Sequence, residues 1–98
     1  MAKAETILQT SRFARAVKKL KPNQKADLDT AIRAVANNPD IGDKKKGVLS
    51  HLQVYKFKMA KQLTLLAYYF DDGKLLLELI SFGSHENFYR NLERHERQ

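Results

Sequence analysis

The chain has 98 residues, no cysteine, 43% apolar side chains and a formal charge of +7. That length allows one domain with a modest core, and the apolar fraction argues against wholesale disorder. The lack of cysteine excludes disulfide staples, thiol catalysis and a cysteine zinc site.

The N-terminus Met1-Ala2-Lys3-Ala4-Glu5 has no apolar signal core, and no segment approaches a membrane span, so a cytoplasmic protein is expected. The charge is uneven. Residues 1–48 hold 11 Lys+Arg against 5 Asp+Glu, a net +6, and residues 49–98 hold 7 against 6, a net +1. Such a surface favours polyanions or an acidic protein partner, or it serves solubility alone.

Thr6 to Gln9 predicts a short first strand. Ser11 is an expected N-cap for a helix from Arg12 to Leu20, with Phe13, Ala16, Val17 and Leu20 on one face and Lys18 and Lys19 off it. Lys21-Pro22-Asn23 predicts a turn in which Pro22 stops the first helix and Asn23 caps the next. The second helix is expected over Gln24 to Ala36, with Leu28, Ile32 and Val35 as its buried stripe. Together they form an αα-hairpin. Asp40 to Val48 is a predicted loop carrying the run Lys44-Lys45-Lys46.

The period then changes. His51 to Met59 alternates, with Tyr55, Phe57 and Met59 on one side and Val54, Lys56 and Lys58 on the other. Leu63 to Phe70 is nearly all apolar, as in a central strand covered on both faces. Asp71-Asp72-Gly73 predicts a hairpin turn, followed by a last strand over Leu75 to Phe82. Glu86 to about Arg97 is expected to be a short helix with Phe88 and Leu92 at i, i+4. The sum is an α+β fold of order β-αα-βββ-α. An antiparallel sheet carries the N-terminal αα-hairpin on one face.

Lys56 and Lys58 share a strand face and lie about 7 Å apart at the usual strand rise. That is close to the separation of successive phosphates in a nucleic-acid strand. A lysine held among other cations also has a lowered pKa and can act as a base. Taken from the strand alone, the alternation is more simply a solvent face or edge protection. His85 follows the last strand directly, where its ordinary pKa suits proton transfer at neutral pH. Taken alone, it is more simply a polar residue at a helix start capped by Ser84. Tyr89, at i, i+4 from His85, fits either a base-stacking ring or a core contact beside Phe88 and Leu92. Arg90 is a solvated charge or a phosphate contact. Lys44, Lys45 and Lys46 can touch phosphate backbone without reading sequence. His51 and His95 have no partners at metal-ligand spacing.

Taken together, these residues resemble the RelE/ParE superfamily of bacterial toxins from type II toxin–antitoxin systems. The resemblance covers most of the chain as a single domain over residues 1–98. It rests on the N-terminal strand and αα-hairpin, on Val54-Tyr55-Lys56-Phe57-Lys58 and on Leu65-Leu66-Ala67-Tyr68-Tyr69-Phe70-Asp71. Its most specific part is the ending Gly83-Ser84-His85-Glu86-Asn87-Phe88-Tyr89, similar to the Gly-x-His and following aromatic of YafQ-like RNA-cleaving members.

The resemblance implies an mRNA endonuclease, often ribosome-dependent, in which the 2′-OH attacks the adjacent phosphate without a metal or other cofactor. It also implies a cognate antitoxin that wraps the toxin. Lys56 and Lys58 would orient phosphate, stabilise transition-state charge or supply a base. His85 would be general acid or base, and Tyr89 would stack on or orient the nucleotide. RelE-type members carry an arginine on the middle strand, where this chain has Leu65, and another where it has His85. Lys61 is the expected substitute for the missing middle-strand cation. Two other functions go with the same fold: ParE-like inhibition of DNA gyrase without RNA cleavage, or a non-enzymatic module that binds an antitoxin.

Overall fold

The computed structural model describes residues 3–84 and Phe88. Its elements in chain order are strand β1 (Thr6–Gln9), helices α1 (Ser11–Lys18) and α2 (Pro22–Asn37), strand β2 (Asp43–Lys44), and strands β3 (Gln53–Met59), β4 (Gln62–Asp71) and β5 (Leu76–Ser84). Short 3-10 turns over Pro39–Ile41 and Gly47–Leu49 flank β2. Among the described residues, no helix is long and apolar enough to cross a membrane. The predicted helix from Glu86 lies outside the described residues apart from Phe88, which is helical and buried.

The described strands form one mixed sheet in the order β1-β5-β4-β3-β2. The β3–β4 and β4–β5 pairs are antiparallel, as the tight turns between them require. β1 is the departure from the expected antiparallel sheet, because it lies parallel to β5 from Thr6↔Leu76 to Gln9↔Leu79. The αα-hairpin carries the chain away from β1, so no local turn dictates the direction of this pairing. β2 adds two residues to the other edge, opposite Val54 and Gln53, inside the segment expected to be loop.

Local chemistry sets the helix ends. Thr10, not Ser11, caps α1: its hydroxyl accepts the Phe13 N–H at 3.1 Å and donates to the Ile80 carbonyl at 3.0 Å. One side chain thus starts the helix and ties it to β5. Pro22 stands at the first position of α2, where its missing N–H costs nothing. Gln24 reaches back to accept the Lys21 N–H at 2.9 Å. Helix α2 therefore begins two residues earlier than predicted.

The sheet separates two cores. On the helix side, Phe13, Leu28, Ala31 and Val35 pack on Leu66, Tyr68, Leu77 and Leu79. The other side gathers Leu49, Leu52, Val54, Leu65, Ala67, Ile80 and Phe88. β4 feeds both, with Leu65, Leu66, Ala67 and Tyr68 all wholly buried, which is why its sequence reads as a continuous apolar run. The register of β5 slips by one residue between Ala67 and Tyr68, leaving Ile80 as the extra residue of a bulge.

Candidate functional site

The candidate site is built on the sheet face opposite α1 and α2, the face on which the helical Phe88 packs. Alternation along β3 puts Tyr55, Phe57 and Met59 against the helix-side core and Val54 in the other cluster. Lys56 and Lys58, in step with Val54, therefore extend from that second face, and both are exposed. Lys56 stands opposite Leu65 of β4, and Leu65 stands opposite Gly83 of β5. On the next rung Phe57 faces Thr64, and Thr64 faces Ser84; on the one after, Lys58 faces Leu63. The two lysines thus lie on the rungs where β5 ends. His85 follows Ser84 in sequence, but His85, Tyr89 and Arg90 lie outside the described residues.

Leu65, which the resemblance aligns with a RelE-type arginine, is here a buried contact. Leu65 has no exposed surface, and Phe88 packs in the same cluster. A cation placed there would have to be desolvated or would displace the packing around it.

Lys61 sits in the two-residue turn between β3 and β4, exposed and with φ of 70°, next to Ala60 with φ of 50°. These are the left-handed angles of a tight hairpin, here adopted without glycine. The carboxylate of Asp27 on α2 accepts the Ala60 N–H at 2.8 Å and anchors this turn. Lys61 is therefore a cation at the hairpin tip, three residues past Lys58 and off the middle strand. Lys44 is separated from the pair. It stands opposite Gln53 and lines a cleft of about 460 Å³ with Asp40, Phe70 and Asp72, beside the helix-side core. Lys45 is half-buried and donates its N–H to the Leu52 carbonyl at 3.2 Å, and Lys46 is exposed at the start of the Gly47–Leu49 turn.

Tyr68 holds the segment that carries these lysines. Its buried hydroxyl donates to the Pro39 carbonyl at 2.6 Å and accepts the Gly42 N–H at 2.9 Å. Burial pushes its pKa up to about 12; the charges of Asp40 and Asp43 act in the same direction, while the Gly42 hydrogen bond opposes them. Gly42 has to be glycine for reasons of space, because a Cβ there would lie 2.6 Å from the Tyr68 oxygen.

A second feature was not anticipated from the sequence. At the other end of the same sheet face lies a cleft of about 740 Å³, lined by Arg12 and Arg15 of α1, His51, Tyr69 of β4, and Glu78 and Ile80 of β5. The available signal was the i, i+3 spacing of the two arginines, which places them together on one helix face.

The chain belongs to the ParE-like toxin family of type II bacterial toxin–antitoxin systems, whose model matches residues 7–93. No curated protein matches it in sequence. Among solved structures it is similar to the E. coli toxin RelE, in a mutant with two arginines changed to alanine, in the free state. There the identity is 24%, with 99% of this chain and 98% of that one covered and a TM-score of 0.71. It is also similar to a chain of the intact E. coli RelBE toxin–antitoxin complex, at 24% identity over 85% of this chain and 99% of that one, TM-score 0.67. The toxin–antitoxin complex RelBE2 of Mycobacterium tuberculosis gives 16% identity over 87% and 95% of the two chains, TM-score 0.74. These likenesses establish a shared fold.

Proposed function

We propose that this toxin is an endoribonuclease that cleaves mRNA, on the ribosome, and so arrests translation and growth in the cytoplasm. The observation that carries the reading is the exposed Lys56/Lys58 pair on the sheet face opposite α1 and α2, on the rungs where β5 ends and His85 follows in sequence. Two cations at about one phosphate spacing hold the RNA backbone and neutralise charge that grows on the scissile phosphate. The 2′-oxygen bonds to phosphorus as the bond to the 5′-oxygen breaks. One proton leaves the 2′-hydroxyl and one reaches the departing 5′-oxygen. His85 moves one of these protons, and Tyr89 stacks on the nucleotide. Lys61 and Arg90 contact flanking phosphate, and the Lys44–Lys46 run adds a sequence-independent attraction. A cognate antitoxin, acidic enough to complement the net +7, holds the toxin inactive.

A second reading, inhibition of DNA gyrase, is favoured by one observation: Leu65 puts a buried apolar side chain where RelE-type nucleases have a cation. Growth curves after induction, run beside a gyrase supercoiling assay, separate the two. The nuclease reading expects Lys58→Ala and His85→Ala to relieve growth arrest while supercoiling is untouched by the parent. Gyrase inhibition by the parent, with both variants still toxic, would overturn it.

A further inference from the structure

We infer that the cleft between the start of α1 and the Tyr69, Glu78 and Ile80 side of the sheet binds a nucleoside phosphate, holding the phosphate with Arg12 and Arg15 and stacking the base on Tyr69. Its volume, about 740 Å³, is in the range of small-ligand sites. Arg12 and Arg15 are exposed, lie one helical turn apart, and form no ion pair among the described residues. Two guanidinium forks side by side match a phosphate better than two ammonium groups do. Tyr69 is half-buried against the second cluster, so its ring is held in place, and Ile80 gives the cleft an apolar floor. A fixed aromatic next to paired cations is the combination that takes a base and its phosphate together.

The cleft also holds a carboxylate, Glu78, paired across the strands with Tyr69. It lowers affinity for an anion, so its removal has a defined sign. Basic residues continue outward from the cleft: Arg12 and Arg15 also line a shallow hollow on α1 with Lys18 and Lys19. Tyr69 lies four residues along β4 from Leu65, roughly 13 Å at the strand rise, or about twice the spacing of the Lys56/Lys58 pair. A strand held by the lysines therefore places a nucleotide two steps away in the cleft. That placement rests on the nuclease reading, whereas the ligand chemistry of the cleft does not.

The test is binding by the full chain to three probes: a labelled 2′-O-methyl hexaribonucleotide, which cannot be cleaved, adenosine monophosphate, and inorganic phosphate. The joint change Arg12→Ala with Arg15→Ala is expected to weaken hexamer binding at least tenfold, with Arg12→Lys and Arg15→Lys recovering part of the loss. Tyr69→Leu is expected to weaken nucleotide probes severalfold and leave inorganic phosphate unchanged. Glu78→Gln is expected to tighten all three. Arginine-dependent binding of the monophosphate identifies a free nucleotide as ligand, and arginine-dependent binding of the hexamer alone identifies a nucleotide within an RNA strand. Hexamer binding that ignores the arginine changes and Glu78→Gln alike overturns the inference, even if transcripts are cleaved in cells. Intact transcripts beside arginine-dependent hexamer binding remove the nuclease reading and leave the cleft standing.

Discussion

Replacing Tyr68 by phenylalanine deletes one oxygen from the core and little else. That oxygen serves two backbone groups, and the two losses differ. The Pro39 carbonyl keeps a second donor, the Gln53 side-chain amide at 3.0 Å. The Gly42 N–H has the Tyr68 oxygen as its acceptor and is left unpaired in a buried position. An orphaned buried N–H costs about 1–3 kcal/mol, so Tyr68→Phe should destabilise the fold by about 2 kcal/mol. Gly42→Ala probes the same contact from the other side. The new Cβ would meet the Tyr68 oxygen at 2.6 Å and its ring carbon at 2.9 Å, so the loop or the ring must move. With phenylalanine at position 68 the nearest clashing atom is gone. Alanine should then cost less, giving a coupling of about 1 kcal/mol in the double-mutant cycle. Urea unfolding followed by circular dichroism measures all four proteins, with an unchanged denaturant slope as the check on two-state behaviour. An unchanged urea midpoint for Tyr68→Phe, or simple additivity of the two substitutions, would contradict this role for the Tyr68 hydroxyl.

The same hydroxyl sets a pH dependence: its folded pKa of about 12 lies above the ordinary 10.0, so its stabilisation is complete below pH 10 and is lost as pH rises toward 12. The stability gap between the parent and Tyr68→Phe should therefore narrow across that window. Lys56→Ala and Lys58→Ala alter exposed side chains and should shift stability by less than about 0.5 kcal/mol. Each should nonetheless cut RNA cleavage on the order of a hundredfold, measured as product per unit time on a ribosome-bound message. Lys61→Gly relieves a left-handed residue in the β3–β4 turn and should raise stability by about 0.5–1 kcal/mol in urea unfolding. Asp27→Ala removes the acceptor that anchors the same turn and should lower stability by about 1 kcal/mol.

Periodicity carried most of the fold into the sequence. β1 over Thr6–Gln9, the αα-hairpin, and the side-chain alternation that separates Tyr55 and Phe57 from Lys56 and Lys58 were all legible there. What stayed hidden depends on contacts distant along the chain. The parallel pairing of β1 with β5 joins residues about seventy positions apart, and no local turn encodes it. β2 has two residues, too few to show a period. The Thr10 cap was displaced from the expected Ser11 because the Thr10 hydroxyl also bonds to Ile80 across the fold. The lysine pair was visible from spacing alone, whereas the cleft of Arg12, Arg15, Tyr69 and Glu78 draws on three separate elements. Lys44 follows Gln53 to the helix side of the sheet, a consequence of a strand pairing the sequence did not announce.

The proposed activity is cleavage of mRNA by the residues around Lys58 and His85. Mapping transcript 5′ ends after brief induction, with the parent, Lys58→Ala and His85→Ala in parallel, tests it most directly. New ends within coding regions should accumulate with the parent and vanish with either variant. Intact transcripts in cells arrested by the parent, or the same new ends with both variants, would contradict it.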